Sequence, residues 1–195
     1  MMRTVPQRGG WLEVICGPMF SGKSEELMRR LTRAEIAGQR IEILRPPRDT
    51  RHASDELITH SGRRMRARRI ESLDQISRLD AAVLGLDEIQ FFDPGIVEVI
   101  DERVSQGVRV ICCGLDMDYR RQAWPVVATL LARAEFIDKL QSVCLGCGGP
   151  ATISHRIDPS QAQQVQIGAQ ETYRALCRRC SDDEAAVNAR PLAPT

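Results

Sequence analysis

The chain has 195 residues, 43% hydrophobic, 27% charged and 4% aromatic, a composition that suits a globular protein with a sizeable core and excludes disordered and collagen-like classes. Its 27 basic and 26 acidic side chains leave a formal net charge of +1, so no global field draws it to nucleic acid or to an acidic membrane. Apolar runs such as VRVICCGL fall short of the ~20 residues that span a bilayer, and the polar start MMRTVPQRGG lacks the pattern of a secretory signal, so the expectation is a cytoplasmic protein with no membrane or nucleic-acid partner.

LEVIC (12–16) reads as a first strand, ended by Gly17 and Pro18. Residues 22–37 follow as a helix with Leu27, Met28, Leu31 and Ala34 on one stripe and Gly38 as its stop signal. IEIL (41–44) is a second strand halted by Pro46 and Pro47, and the polar DTRHASDEL reads as loop. LITHSGRRMRARRI fits a hairpin about Ser61 and Gly62. Its arginines invite a nucleic-acid reading, but no aromatics interleave to stack bases, so a solvated strand face is favoured. AAVLGLDE is a buried strand ending in two acids, and PGIVEVIDERVSQG is an amphipathic helix with Pro94 in its first turn and Gly107 past its end. VRVICCGL returns to strand, a polar loop occupies 116–125, and a helix covers 126–134. This alternation is that of crossover units on a mostly parallel sheet, an α/β fold. After Asp138 short strands and paired cysteines take over, so a boundary is expected there.

GPMFSGKS at 17–24 fits G-x-x-x-x-G-K-S, with a strand before it and a helix after it, as that motif requires. In such a P-loop, formed here by Gly17, Pro18, Met19, Phe20, Ser21 and Gly22, successive backbone N–H groups cradle triphosphate oxygens. The helix N-terminus adds its positive dipole end, Lys23 reaches the outer phosphates, and Ser24 ligates the Mg2+ that accompanies ATP. Lys23 and Lys139 are the only lysines among the 27 basic residues, and the planar fork of an arginine does not replace a compact ammonium in that pocket. In VLGLDEIQ, the apolar Val83, Leu84 and Leu86 deliver Asp87 and Glu88 to a strand end, where open α/β sheets bind ligands. Asp87 would hold the magnesium shell. Strand alternation turns Glu88 away from it, which suits accepting a proton from an attacking hydroxyl.

Of the seven cysteines, Cys144 with Cys147 and Cys177 with Cys180 form two C-x2-C pairs. Two such turns close a tetrahedral four-thiolate Zn2+ site with no open position, hence a structural one. Redox pairs or unliganded thiols are the alternative, and an odd cysteine count in a chain read as cytoplasmic argues against a disulfide framework. The interval 148–176 exceeds the commonest spacing of such sites, which leaves a loop long enough for a task of its own. Cys16, Cys112 and Cys113 lie in strand runs and read as core.

GPMFSGKS with the following ELMRR, then DEIQFF, GLDMDY and the CLGC and CRRC pairs resemble the cytosolic and bacterial zinc-containing thymidine kinase family (type II) over about residues 10–180. The resemblance implies a RecA-like parallel sheet flanked by helices (10–137) and a small zinc-binding module (138–180), with flexible tails at 1–9 and 181–195. The module's lasso-like loop, about 154–173, would close over the nucleoside. The implied reaction moves the γ-phosphate of ATP to the 5′-hydroxyl of thymidine or deoxyuridine, as in pyrimidine salvage for DNA synthesis. Glu88 would be the general base, with Asp87 and Gln90 in the ATP site. Main-chain groups near Val165, Ile167 and Gly168 would bond the pyrimidine edge, with Tyr173 packed beside it. Met19, Leu115 and Ser154 match positions around the base methyl, and Phe91 and Tyr119 match aromatic positions near the base. A homotetramer inhibited by thymidine triphosphate (dTTP) is also implied. Independently of the family, VQIG is a short strand-like run whose peptide groups can read a uracil or thymine edge.

After GLDMDY the chain departs from the family: Arg121, Gln122, Ala123 and Trp124 stand where a glycine, an acid, a proline and a phenylalanine are usual. Trp124 would supply an aromatic wall with a larger ring that narrows the pocket. Tyr119 for a common phenylalanine adds a hydroxyl that needs a partner if buried. DEIQ also looks like the magnesium motif of helicases, so a nucleic-acid-stimulated ATPase is the competing reading. Length opposes it, because 195 residues do not hold two motor domains and a zinc module.

Overall fold

The computed structural model describes residues 9–47, 56–58, 62, 64–157 and 172–188. Its elements in chain order are β1 (Trp11–Cys16), α1 (Lys23–Ile36), β2 (Ile41–Arg45), β3 (Glu56–Ile58), β4 (Arg64–Arg66), β5 (Arg68–Arg69), α2 (Asp74–Ser77), β6 (Val83–Leu86), α3 (Ile96–Ser105), β7 (Arg109–Gly114), α4 (Pro125–Arg133), β8 (Phe136–Lys139), β9 (Ser142–Val143), β10 (Pro150–Ala151), β11 (Ile153–Arg156), β12 (Tyr173–Leu176) and α5 (Arg178–Asn188). Six strands form one parallel sheet in the order β5-β2-β6-β7-β1-β8.

Side chains alternate along a strand, so β1 sends Leu12, Val14 and Cys16 to one face and Ile15 to the other. The first face is covered by Ile96, Val97 and Ile100 of α3 and by Val127 and Leu130 of α4. The second is covered by the stripe read from the sequence, Leu27, Met28, Leu31 and Ala34 of α1. Each such side chain contributes ~1.5–3 kcal/mol when fully buried, which makes both layers necessary to the sheet. Where α1 crosses β6 the fit leaves no room for a side chain: a Cβ on Gly85 would lie 2.6 Å from Leu31 Cδ1.

One charged cluster is built into the α1 face. Glu13 is 4% exposed and pairs with Arg30 and Arg109, each at 2.6 Å; Arg30 also reaches Glu26 at 2.7 Å and Asp138 at 2.6 Å. Burial opposes the Glu13 charge, but hydrogen bonds from Arg109 and Trp11 and the nearby guanidinium charges outweigh it and hold the carboxyl below its ordinary range. A buried charge of this kind is tolerated because every partner is present.

Beyond the sheet, β9 pairs with β10 and β11 with β12, both antiparallel. Cys144, Ala151, Ala175 and Leu176 form the buried centre of this region, against which Phe20 packs.

The structure departs from the sequence reading in four places. Glu56 and Leu57, read as loop, belong to β3, which pairs antiparallel with β4 as the expected hairpin; its turn residues 59–61 and 63 lie outside the described residues. A four-residue edge strand, β8, joins the sheet beside β1, so the expected boundary at 137/138 falls inside a strand. The short helix α2 was not anticipated. The tail expected from Ser181 continues α5 to Asn188, with Ser181 2% exposed. Among the described residues no helix is long and apolar enough to cross a membrane.

Candidate active site

The loop between β1 and α1 is fixed by backbone geometry. Gly17, Phe20 and Gly22 have φ of 144°, 63° and 80°, values that glycine adopts freely and phenylalanine rarely. A Cβ on Gly17 would lie 2.4 Å from the Leu140 carbonyl oxygen, so the loop crosses close over the end of β8. Gly22 starts α1 without a side-chain cap, and the N–H groups of a first helical turn, with the dipole behind them, favour an anion. Lys23 Nζ donates to the Pro18 carbonyl at 2.6 Å, as does Ser21 Oγ at 2.8 Å.

Asp87 lies just past β6, 3% exposed. Its Oδ1 accepts Ser24 Oγ–H at 3.2 Å and the Cys113 thiol at 2.7 Å. Burial and the adjacent Asp87 charge push the Cys113 thiol well up, which keeps it a donor. The hydroxyl and carboxylate brought together here are hard oxygen donors of the kind Mg2+ takes.

Strand alternation does not set the direction of Glu88. β6 ends at Leu86, and Glu88 adopts a left-handed φ of 52° at the start of a 3-10 turn, Ile89–Phe91. Gln90, expected in the ATP site, donates through Nε2 to Glu88 Oε2 and accepts the Leu115 N–H at 3.1 Å. It thereby ties Glu88 to the end of β7. Gly114 leaves room for that amide, since a Cβ there would lie 2.4 Å from Gln90 Oε1.

On the other side of the loop, Met19 N–H donates to Ser154 Oγ at 2.9 Å and Ser142 Oγ–H to the Phe20 carbonyl at 3.1 Å. The phosphate loop and the cysteine region are therefore joined. Phe91 and Trp124 meet edge to face, ring centroids 5.7 Å apart. The Arg156 guanidinium stacks 3.7 Å over the Tyr119 ring and donates to the Tyr173 hydroxyl at 2.7 Å, a cation–π contact combined with a hydrogen bond. The Tyr119 hydroxyl accepts from Arg120 Nε at 2.7 Å; Tyr119 is only partly buried, so the condition under which a partner was expected to be needed is not met. Val165, Ile167 and Gly168 lie outside the described residues.

Sequence reasoning missed three residues here. Arg156 had no motif to mark it. Asp116, buried within GLDMDY, pairs with Lys139 Nζ at 2.8 Å, and only the scarcity of lysine hinted at the partner. Cys113 was read as core and is buried, but it also supports Asp87. Cys16 agrees with the core reading: burial and Asp116 push its thiol up to about 11.

The four cysteines of the two pairs converge, with all Sγ atoms within 4.8 Å of one another. Cys147 and Cys177 Sγ are 3.8 Å apart, matching the ~3.8 Å of a tetrahedral site with Zn–S of ~2.3 Å. The Cys177 N–H donates to Cys144 Sγ at 3.1 Å and the Cys180 N–H to Cys177 Sγ at 3.4 Å. Burial pushes the Cys144 thiol up, but backbone N–H groups of Cys177, Cys147 and Gly146 outweigh it and lower it to about 6, which favours the thiolate there, while hydrogen bonds with Cys177 and Cys147 push Cys180 up to about 12. The cluster fits a zinc ion.

A family profile described as thymidine kinase matches residues 10–181. The chain is also similar to two solved structures at low identity. One is domain III of the replication initiation protein DnaA from Thermotoga maritima, 13% identical, TM-score 0.43, covering 67% of this chain and 54% of that one. The other is the flagellar accessory protein FlaH from Methanocaldococcus jannaschii, 12% identical, TM-score 0.45, covering 86% and 90% respectively. The chain thus spans about half the length of the DnaA domain that it matches.

Proposed function

The chain belongs to the thymidine kinase family, and from that premise we propose that it transfers the γ-phosphate of ATP to the 5′-hydroxyl of thymidine, with deoxyuridine as a second acceptor. The reading is supported above all by one convergence: the phosphate loop, the Ser24–Asp87 pair and Glu88 all stand at the C-terminal ends of β1 and β6.

In this reading Lys23 exchanges its bond to the Pro18 carbonyl for phosphate oxygens, and the backbone N–H groups of Gly17 and of residues 19–22 orient the chain of phosphates. Ser24 and Asp87 would hold Mg2+, which when bound neutralises charge on the phosphate oxygens. Glu88, steadied by Gln90, accepts the 5′-hydroxyl proton. The hydroxyl oxygen then bonds to the γ-phosphorus as the bridging bond to the β-phosphate breaks, giving dTMP and ADP. Met19, Phe91, Leu115, Tyr119, Trp124, Ser154 and Tyr173 would surround the base, with main-chain groups near Val165, Ile167 and Gly168 bonding its edge. Zn2+ on Cys144, Cys147, Cys177 and Cys180 would hold the cysteine region that follows β8 in place. A cytoplasmic homotetramer inhibited by dTTP belongs to the same proposal.

The test is transfer of labelled γ-phosphate from ATP to a panel of deoxynucleosides, with DNA-stimulated ATP hydrolysis run in parallel. Product with thymidine and deoxyuridine alone is the expected result. Hydrolysis that rises with DNA, without any nucleoside product, overturns the proposal in favour of the competing ATPase.

A further inference from the structure

The loop between β7 and α4 is held shut from within. Asp118 Oδ1 accepts the N–H groups of Arg120 and Gln122 at 2.8 and 2.9 Å. The Asp118 N–H donates to the Gln122 carbonyl at 2.9 Å, the Arg121 N–H to the Asp118 carbonyl at 3.0 Å, and the Trp124 N–H to the Asp116 carbonyl at 3.1 Å. Met117 and Ala123 face each other as an isolated bridge. At the tip, Arg121 has a φ of 62°, a backbone state that suits glycine and strains an arginine.

The Arg121 side chain spans to α5. Its guanidinium donates to Ser181 Oγ at 2.9 Å and pairs with Asp182. Ser181 is buried and its Oγ lies 3.1 Å from His155 Nδ1; His155 is placed in turn beside Glu184, which pairs with Arg174. His155 stands on β11 between Ser154, which holds the Met19 N–H, and Arg156, which stacks on Tyr119. The loop is therefore tied to the cysteine region twice, at Tyr119 and at Arg121.

We propose that Arg121 is a positioning residue that pins residues 118–124 to α5 and so sets the affinity for the nucleoside while leaving that for ATP unchanged. This rests on the thymidine kinase reading, in which Tyr119 and Trp124 border the base. A glycine at 121 suits the backbone but has no side chain to reach Ser181 and Asp182. With the strut in place, the two aromatic residues keep a fixed spacing and the nucleoside does not have to order the loop, an ordering that otherwise subtracts from binding.

The test compares Arg121→Gly, Asp182→Ala and the double variant by steady-state kinetics and by hydrogen exchange of the 118–124 amides. Arg121→Gly is expected to raise the thymidine KM about five- to tenfold, to leave kcat and the ATP KM within about twofold, and to speed exchange in the loop. Relief of the left-handed strain should keep its melting temperature at or above that of the unaltered protein. Asp182→Ala should move the thymidine KM in the same direction by about twofold, and the double variant should be no worse than Arg121→Gly, since Arg121→Gly already removes the Arg121–Asp182 pair along with the bond to Ser181. Wild-type loop exchange in Arg121→Gly overturns the proposal, as do equal rises in both KM values or additive effects in the double variant. If the unaltered protein does not phosphorylate thymidine, the kinase reading fails by itself, and the exchange measurement still decides whether Arg121 pins the loop.

Discussion

The phosphate loop and the cysteine cluster sit against each other but are kept in place by different physics. The loop grows out of β1, whose Leu12, Val14, Ile15 and Cys16 are buried between helices on both faces of a six-stranded sheet. The cysteine region has two two-stranded ribbons and a buried centre of Cys144, Ala151, Ala175 and Leu176, while Val143 and Leu145 are 65% and 61% exposed. Ribbons of this size are marginal alone in water. Apolar burial therefore suffices to order the first region, whereas the second depends on thiol chemistry and on its bonds to the first.

The sharpest way to separate them is Cys177→Ser. Structural zinc binding amounts to about 10 kcal/mol or more in small domains, so loss of the metal should bring fast amide exchange in β11 and β12 with little change in β1 and β7. Full metal content in that variant by elemental analysis would break the comparison. Glu88→Gln probes the opposite end: turnover should fall at least ~10²-fold with ATP binding and melting temperature nearly unchanged, and wild-type turnover would remove Glu88 from the proton-transfer role. Gly85→Val overfills the space taken by Leu31 and should cost about 1–3 kcal/mol in urea unfolding while the metal stays bound. Smallest is the acid response of the sheet. Because the folded state depresses the Glu13 carboxyl below 4.5, its contribution is complete above that pH and is lost as pH falls through the lower folded value. Glu13→Gln should flatten that slope, read as melting temperature against pH. An unchanged slope would show that the Glu13 cluster does not carry the acid sensitivity.

Features written in contiguous residues were legible before the structure. GPMFSGKS located the phosphate loop, the Leu27, Met28, Leu31 and Ala34 spacing gave the buried face of α1, and the two C-x2-C pairs gave the thiol cluster. What escaped was written across the chain. β8 is short, with apolar Phe136 and Ile137 followed by charged Asp138 and Lys139, so nothing local marks it as a strand until β1 pairs with it. Arg30 reaches partners on three elements, and Arg121 matters through a helix about sixty positions away. Glu88 shows a subtler gap: strand alternation was expected to aim it, but β6 ends at Leu86, and a single left-handed residue is invisible to strand periodicity.

The pairing of β1 also fixes an order of events during synthesis. β1 lies between β7 and β8, with Trp11 opposite Arg109 and Cys16 opposite Lys139, so no neighbour for it exists in the chain until more than ninety further residues have emerged from the ribosome. The segment that builds the phosphate loop is thus translated well before either strand that it pairs with. Long-range parallel pairing of this kind is slow and leaves apolar strand exposed meanwhile, so a nascent chain halted before β7 would present LEVIC bare, a natural handle for a chaperone.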